Sequence, residues 1–165
     1  DFIPGYLRQT RHRYRIYLLG GQDGIAERAA AQIARLAPHH QIVGCCHGYV
    51  AGDDTTAITE RIRRSGADIL LVAMGNPKQE LWLLEHLAET GCRLGFGVGA
   101  LFDFLAGAVS RAPNWMRAAR LEWAYRLLLE PGRLWRRYLV GMPTFLVRVA
   151  GQWCVGTRVP GGTLE

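Results

Sequence analysis

Asp68-Ile69-Leu70-Leu71-Val72-Ala73-Met74 is a near-continuous apolar run, and Gly75-Asn76-Pro77 follows it at once. A strand with one wet face alternates apolar and polar residues, so a run without alternation reads as a strand covered on both faces of a parallel sheet. Beyond the turn, Lys78 to Glu89 reads as a helix that stops at Gly91. The same unit recurs upstream. Residues 15–19 (Arg-Ile-Tyr-Leu-Leu) form a strand bounded by Gly20-Gly21, and Asp23 or Gly24 opens a helix. Ile25, Ala29, Ile33 and Leu36 keep that helix's apolar side in step with a 3.6-residue period until Pro38 ends it. Residues 41–44 make a second short strand, and Asp54 or Thr55 caps a helix that turns Ile58 and Ile62 inward and stops near Gly66. Downstream, Arg93 to Val98 is a fourth strand, and Gly97-Val98-Gly99-Ala100 leads into a helix over 101–106. Strands alternating with helices in this way predict an α/β fold with a parallel, doubly wound sheet.

After Gly107 the pattern changes to two long helices, expected over 113–129 and 132–150, with Glu130-Pro131 between them and Pro143 kinking or splitting the second. Charge changes at the same place. Residues 18–110 hold seven cations against ten acids, whereas residues 111–150 hold eight arginines against Glu122 and Glu130. Arginine's planar fork suits phosphate, so this part of the chain wants an anionic partner: a phosphate, a nucleic acid or an acidic membrane surface. Its aromatics interleave with the arginines as they do on interfacial membrane elements. Trp115, Trp123 and Trp135 could serve lipid, a neighbouring subunit in a homo-oligomer, or the core. Three segments are expected: a nucleotide-binding domain over 1–110, a basic aromatic helical appendage over 111–150, and a loose tail over 151–165 containing Pro160-Gly161-Gly162.

Bulk properties agree with a globular protein: 165 residues, 49% apolar and 21% charged. No apolar run approaches the roughly 18 residues that span a bilayer. Cys45 and Cys46 are adjacent and no C-x-x-C pair occurs, so Cys45, Cys46, Cys92 and Cys154 are expected to be structural thiols in a reducing cytoplasm. The opening Asp1-Phe2-Ile3-Pro4-Gly5 reads as a segment of a longer protein.

Ligands of an open parallel sheet bind outside the carboxyl ends of its strands. Those exits are Gly20 to Gly24, His47-Gly48-Tyr49, Gly75 to Glu80, and Gly97 to Asp103. Glycines there permit close backbone approach, and the helices that follow offer unpaired N–H groups to an anion, so a nucleotide diphosphate is the natural guest. Gly20-Gly21-x-x-Gly24 is only half of a dinucleotide fingerprint and reads equally as a tight turn packing helix on strand. Lys78 would suit a phosphate and Gln79 a sugar hydroxyl, although solvation alone explains Lys78 and Glu80 as well. Asp103 could accept from a uracil N3–H or a ribose hydroxyl, or simply serve a helix dipole. His47, alone in its loop, reads as structural. No Ser/His/Asp triad, metal-ligand cluster or Asp-x-Asp sequence occurs, so chemistry without a metal ion or an organic cofactor is expected.

Gly75 to Glu80, Gly97 to Gly107 and Arg111-Ala112-Pro113-x-Trp115-Met116 closely resemble blocks of the WecG/TagA/CpsF glycosyltransferases. So do Leu121-Glu122-Trp123, Arg126-Leu127, Glu130-Pro131-x-Arg133-Leu134 and Arg137-Tyr138-Leu139, so the resemblance covers roughly residues 1–150. It implies a Rossmann-like, mostly parallel sheet with helices on both faces and a C-terminal helical appendage that docks on the membrane. It also implies an inverting transfer from a UDP-sugar, commonly an N-acetylmannosamine derivative or a uronic acid, to a polyprenyl-diphosphate-linked saccharide. Products in such a family include teichoic-acid linkage units, enterobacterial common antigen and exopolysaccharide repeats. The implied location is the cytoplasmic face of the bacterial plasma membrane, with an anionic lipid surface as partner and no nucleic acid.

By the resemblance, Gln79 looks like a sugar-pocket residue, and Tyr49, Gly99, Ala100 and Asp103 look like nucleotide contacts. Arg117, Arg126 and Arg133 look like partners for the UDP or acceptor phosphates. Two departures stand out. The family's N-terminal segment, with a Thr-x-Asn-type stretch and an Asp taken as the catalytic base, has no counterpart here, and Met142 replaces a frequent Asn before Pro143. A general base is worth about 10²–10⁴-fold in rate, so these residues alone are expected to bind UDP better than they turn it over. Two other readings are a non-catalytic nucleotide-binding or scaffold module and an NAD-dependent oxidoreductase; the broken glycine fingerprint disfavours the latter.

Overall fold

The computed structural model describes residues 2–48 and 54–109, scattered positions between 113 and 132, and residues 141–155. Two compact units divide the chain, 1–110 and 111–165. In the first, helix α1 (Phe2–Gln9) precedes strand β1 (Arg15–Gly20), α2 (Ile25–Leu36) and β2 (Gln41–Cys46). There follow α3 (Asp54–Ser65), β3 (Ile69–Ala73), α4 (Lys78–Thr90), β4 (Leu94–Gly97) and the short α5 (Leu101–Leu105). The described part of the second unit contains α6 (Met142–Val155).

All four strands are parallel, in the order β2-β1-β3-β4. Side chains alternate across a strand, so the unbroken apolar runs must feed two cores at once. Ile16 and Leu18 of β1 and Ile69 and Leu71 of β3 point to one face, where they meet Ala29 and Ile33 of α2, Phe102 of α5 and Ile3 and Leu7 of α1. Tyr17, Leu19, Leu70 and Val72 point to the other, against Ile58 and Ile62 of α3 and Trp82 of α4. Leu18, Leu19, Leu70, Leu71 and Val72 have no solvent exposure, and burying each such side chain contributes about 1.5–3 kcal/mol. The alternation in the sequence thus gives the α/β sheet it predicts, with helices on both faces.

Three boundaries differ from the sequence reading. Strand β2 extends to Cys46, because Cys45 and Cys46 pair alongside Leu18 and Leu19 of β1. Helix α6 runs through Gly151 to Val155, past the boundary expected at 150; a single glycine costs a helix only about 1 kcal/mol. Pro143 is the second residue of α6, and Gly141 just before that helix is in a π-helical turn. Third, α1 forms over the opening residues, to which the sequence pattern assigned no element. Pro4 sits in its first turn, and Ile3 and Leu7, one turn apart, are both buried.

His40 secures α1 to the sheet. Its Nδ1 accepts the Tyr14 backbone N–H at 3.2 Å, which leaves Nε2 as the protonated nitrogen to donate to the Leu7 carbonyl at 2.9 Å. A second proton on the ring would set Nδ1–H against the Tyr14 N–H. Burial pushes the imidazole below its ordinary value, with the neighbouring His39 adding to this, while the bond to Leu7 opposes it. The free thiols Cys45 and Cys92 are pushed up by burial and stay protonated.

The neutral ring's contribution is fully present above the unfolded imidazole's pKa of about 6.5. As pH falls from there towards the depressed folded value, the unfolded chain takes up a proton that the folded one resists, and stability is lost. Thermal unfolding of the wild type is expected to show a clear drop in Tm between about pH 7.5 and about pH 5.5. His40→Gln should lower Tm at the higher pH and flatten that dependence.

Candidate functional site

The strand order places the topological switch between β1 and β3. From β1 the chain passes to α2 on one face, and from β3 to α4 on the other, which opens a crevice at their carboxyl ends. Here the backbone is packed unusually close. A Cβ on Gly20, whose φ is 137°, would lie 2.4 Å from the Ala73 carbonyl oxygen. The Gly21 N–H donates to that same oxygen, and the Gly48 N–H donates to the Gly21 carbonyl, both at 2.9 Å. A Cβ on Gly48 would come within 2.9 Å of the Gly20 Cα. The ends of β1, β2 and β3 are therefore joined backbone to backbone. The sequence reading offered the glycines at these tips to a diphosphate; the amides of Gly21 and Gly48 instead hold the tips together.

Donors for an anion come from the helix starts. Neither Gly24 before α2 nor Pro77 before α4 supplies a side-chain cap to the first turn. Each helix thus presents the positive end of its dipole towards the crevice without a protein oxygen from the cap position. Lys78 is the first residue of α4, and its Nζ lies 3.4 Å from the Gly48 carbonyl, reaching from the β3 exit to the β2 exit. A cation at the positive end of a helix is by itself unfavourable by about 0.3–1 kcal/mol; Glu80 in the same turn offsets part of this, and a bound anion would offset it further. Just before it, Gly75 adopts a φ of 79°, and a Cβ there would meet nothing within 4 Å. The chain turns into α4 through the cis Asn76–Pro77 peptide.

The β4 exit completes the rim. Its Val98 N–H donates to the Val72 carbonyl at 2.8 Å, keeping the loop in line with β3. Gly99 takes a φ of 56° with open space on its Cα face, and Ala100 is the cap position before α5. Asp103 is half-buried in the first turn of α5, and its carbonyl accepts the Ala108 N–H at 2.9 Å. Gln79 is turned inward and is 5% exposed. Its Oε1 accepts the Gly99 N–H at 3.0 Å and its Nε2 donates to Glu80 Oε1 at 2.8 Å.

Of the residues singled out from the sequence, the structure thus brings Gln79 and Gly99 into direct contact and places Ala100 and Asp103 on the same loop and short helix. Tyr49, Arg117, Arg126 and Arg133 lie outside the described residues, as do Trp115, Trp123 and Trp135. Sequence reasoning missed Gly48 and Gly97 as packing partners. A glycine just past a strand end was the available signal, but not which neighbour it meets. Among the described residues, no group of three or more His, Cys, Asp or Glu could hold a metal ion.

The chain matches the Glycosyl transferase WecG/TagA/CpsF family over residues 1–159 and belongs to it. It is 34% identical over 140 residues to the N-acetylglucosaminyldiphosphoundecaprenol N-acetyl-beta-D-mannosaminyltransferase of Bacillus subtilis (strain 168), over 85% of this chain and 53% of that protein. The chain spans about half the length of that relative.

Two glycine substitutions separate backbone strain from backbone contact. Gly75→Ala meets open space and is expected to cost only the left-handed conformation, about 1–2 kcal/mol. Gly20→Ala must also part β1 from β3, and overpacking adds about 1–3 kcal/mol. Urea titrations are expected to give Gly20→Ala the clearly lower midpoint.

Proposed function

We propose that this chain holds the donor nucleotide of a glycosyltransferase that moves a sugar from a UDP-sugar to a polyprenyl-diphosphate-linked saccharide in cell-surface polymer synthesis. The single observation that carries the reading is Lys78 at the uncapped start of α4, reaching across the switch point to Gly48. Family membership supplies the reaction class. The relative's name couples mannosaminyl transfer to an N-acetylglucosaminyl-diphospho-undecaprenol, which supports an amino sugar donor and a lipid-linked acceptor here.

In this reading the acceptor hydroxyl attacks the anomeric carbon as the bond from that carbon to the β-phosphate oxygen breaks. The bonding electron pair leaves with UDP, and the hydroxyl proton passes to a general base. Attack opposite the leaving group inverts the anomeric centre. Negative charge grows on the diphosphate as it leaves, so donors already fixed around it stabilise the transition state more than the bound substrate. Lys78 at the start of α4 would fill that role, with Arg117, Arg126 and Arg133 as further partners of the phosphates. No metal ion and no organic cofactor is assigned. Tyr49 and Asp103 would face the uridine, and Gly99 and Ala100 would let it approach the β4 loop.

Calorimetry with UDP is expected to show binding, and Lys78→Ala to weaken it about tenfold, the loss of one charge-assisted phosphate contact. Folded wild-type protein that gives neither heat nor a thermal shift with UDP would refute the nucleotide reading.

Membrane docking forms the second half of the proposal. Among the described residues no helix is long and apolar enough to cross a membrane. On α6, however, Phe145 is 62% exposed and Arg148, three residues on and so on the same side of the helix, is exposed with it, while Val147, 72% exposed, projects from the opposite side. Apolar and cationic side chains displayed together suit an anionic lipid surface, here the inner face of the plasma membrane. An arginine near such a surface is worth about 1 kcal/mol, so Arg148→Ala should lower partitioning onto phosphatidylglycerol vesicles about fivefold. Flotation indifferent to salt and to this substitution would reject electrostatic docking.

A further inference from the structure

We propose that Gln79 is a positioning residue for the donor nucleotide, acting through the β4–α5 loop rather than by touching the sugar. The inference rests on the UDP-sugar reading above. A glutamine placed to recognise a hydroxyl needs its amide exposed to the ligand. The Gln79 side chain is instead buried, with both amide atoms bonded inside the protein.

Its position joins two strand exits. The Gln79 backbone N–H donates to the Gly75 carbonyl at 3.0 Å, in the turn after β3. The side chain crosses to the next exit, where Oε1 takes the Gly99 N–H. Gly97 is the complementary half of the contact. A Cβ on it would lie 2.8 Å from Gln79 Nε2 and 3.1 Å from Cδ, so the amide occupies the space that the missing side chain leaves. Gly97 has no positive φ that would by itself demand glycine. Its small size serves the glutamine.

Fixing Gly99 has a direct consequence for a ligand. Gly99 is in the left-handed region, where the peptide planes on either side can rotate at little steric cost because no Cβ opposes it. One hydrogen bond to a buried side chain selects a single orientation and thereby the direction in which Ala100 and the start of α5 face. Ordering the loop before the nucleotide arrives removes that cost from binding. A sugar contact would favour the nucleotide sugar alone, whereas a loop-positioning role favours UDP and UDP-sugar alike.

The test uses Gln79→Leu, Gly97→Ala and wild-type full-length protein, with UDP and UDP-N-acetylmannosamine as probes in calorimetry and amide exchange at Gly99 read by NMR. Gln79→Leu removes the acceptor. Gly97→Ala keeps Gln79 intact and only displaces its amide, so it carries the test if the first variant does not fold. Each variant is expected to lose about tenfold in affinity for UDP, and the same factor for the UDP-sugar where the latter binds. Gly99 exchange should accelerate while the far-UV circular dichroism stays unchanged. A loss confined to the UDP-sugar would make Gln79 a sugar contact and overturn the inference, as would unchanged UDP affinity or unchanged Gly99 protection. Wild-type protein that fails to bind UDP would instead sink the nucleotide reading, while the Gly99 exchange would still report whether Gln79 holds the loop.

Discussion

The backbone of Gly20 lies directly on the backbone of Ala73, and the crevice depends on that contact. β1 and β3 run side by side and feed helices on opposite faces, with their ends level and close. Here the absent Cβ of Gly20 and the bond from the Gly21 N–H to the Ala73 carbonyl keep them so. Gly48 extends the same contact to the third strand end. Because the three tips are tied together, Lys78 on the helix after β3 comes within reach of the loop after β2, although thirty residues separate Lys78 from Gly48.

Tying the tips together also divides the labour of the backbone. Amides that look available in the sequence are consumed in holding strand to strand. The helix starts are used in part as well, since the Ile25 N–H donates to the Gln22 carbonyl and the Gln79 N–H to the Gly75 carbonyl, which leaves Lys78 as the donor that reaches across the crevice. The β4 loop follows the same logic, since the Gly99 N–H is held by Gln79 while its Cα face is open. Rigid internal bonding on one side of each loop and open space on the other is how a site is arranged before its ligand arrives.

Charge is apportioned between the two units. Residues 18–110 carry more acids than bases, and residues 111–150 carry eight arginines against two glutamates. Within the acidic segment, Lys78 is a cation at the crevice and stands at a helix end that by itself disfavours it. A diphosphate would relieve that mismatch. The arginine-rich segment suits anions of either kind, phosphate or lipid headgroup, because the guanidinium pairs well with both.

Sequence alone determined the layers of this fold. Runs such as Ile69–Ala73 lack alternation, and helices such as Ile25–Leu36 carry one apolar stripe, so the strands had to be covered on both faces. Local turn chemistry likewise fixed where α2 and α4 begin and end. It fell short where tertiary contacts decide: β2 runs on to Cys46 beside β1, and α1 forms because Ile3 and Leu7 find the α2–α5 face. Motif resemblance gave the family and pointed to the β4 loop. Tertiary structure alone decided which glycines touch, which amides are already used, and that Gln79 turns inward to Gly99. Those facts depend on distances between segments far apart in the chain, and a pattern of residue types carries periodicity and propensity but not the separation of one strand end from another.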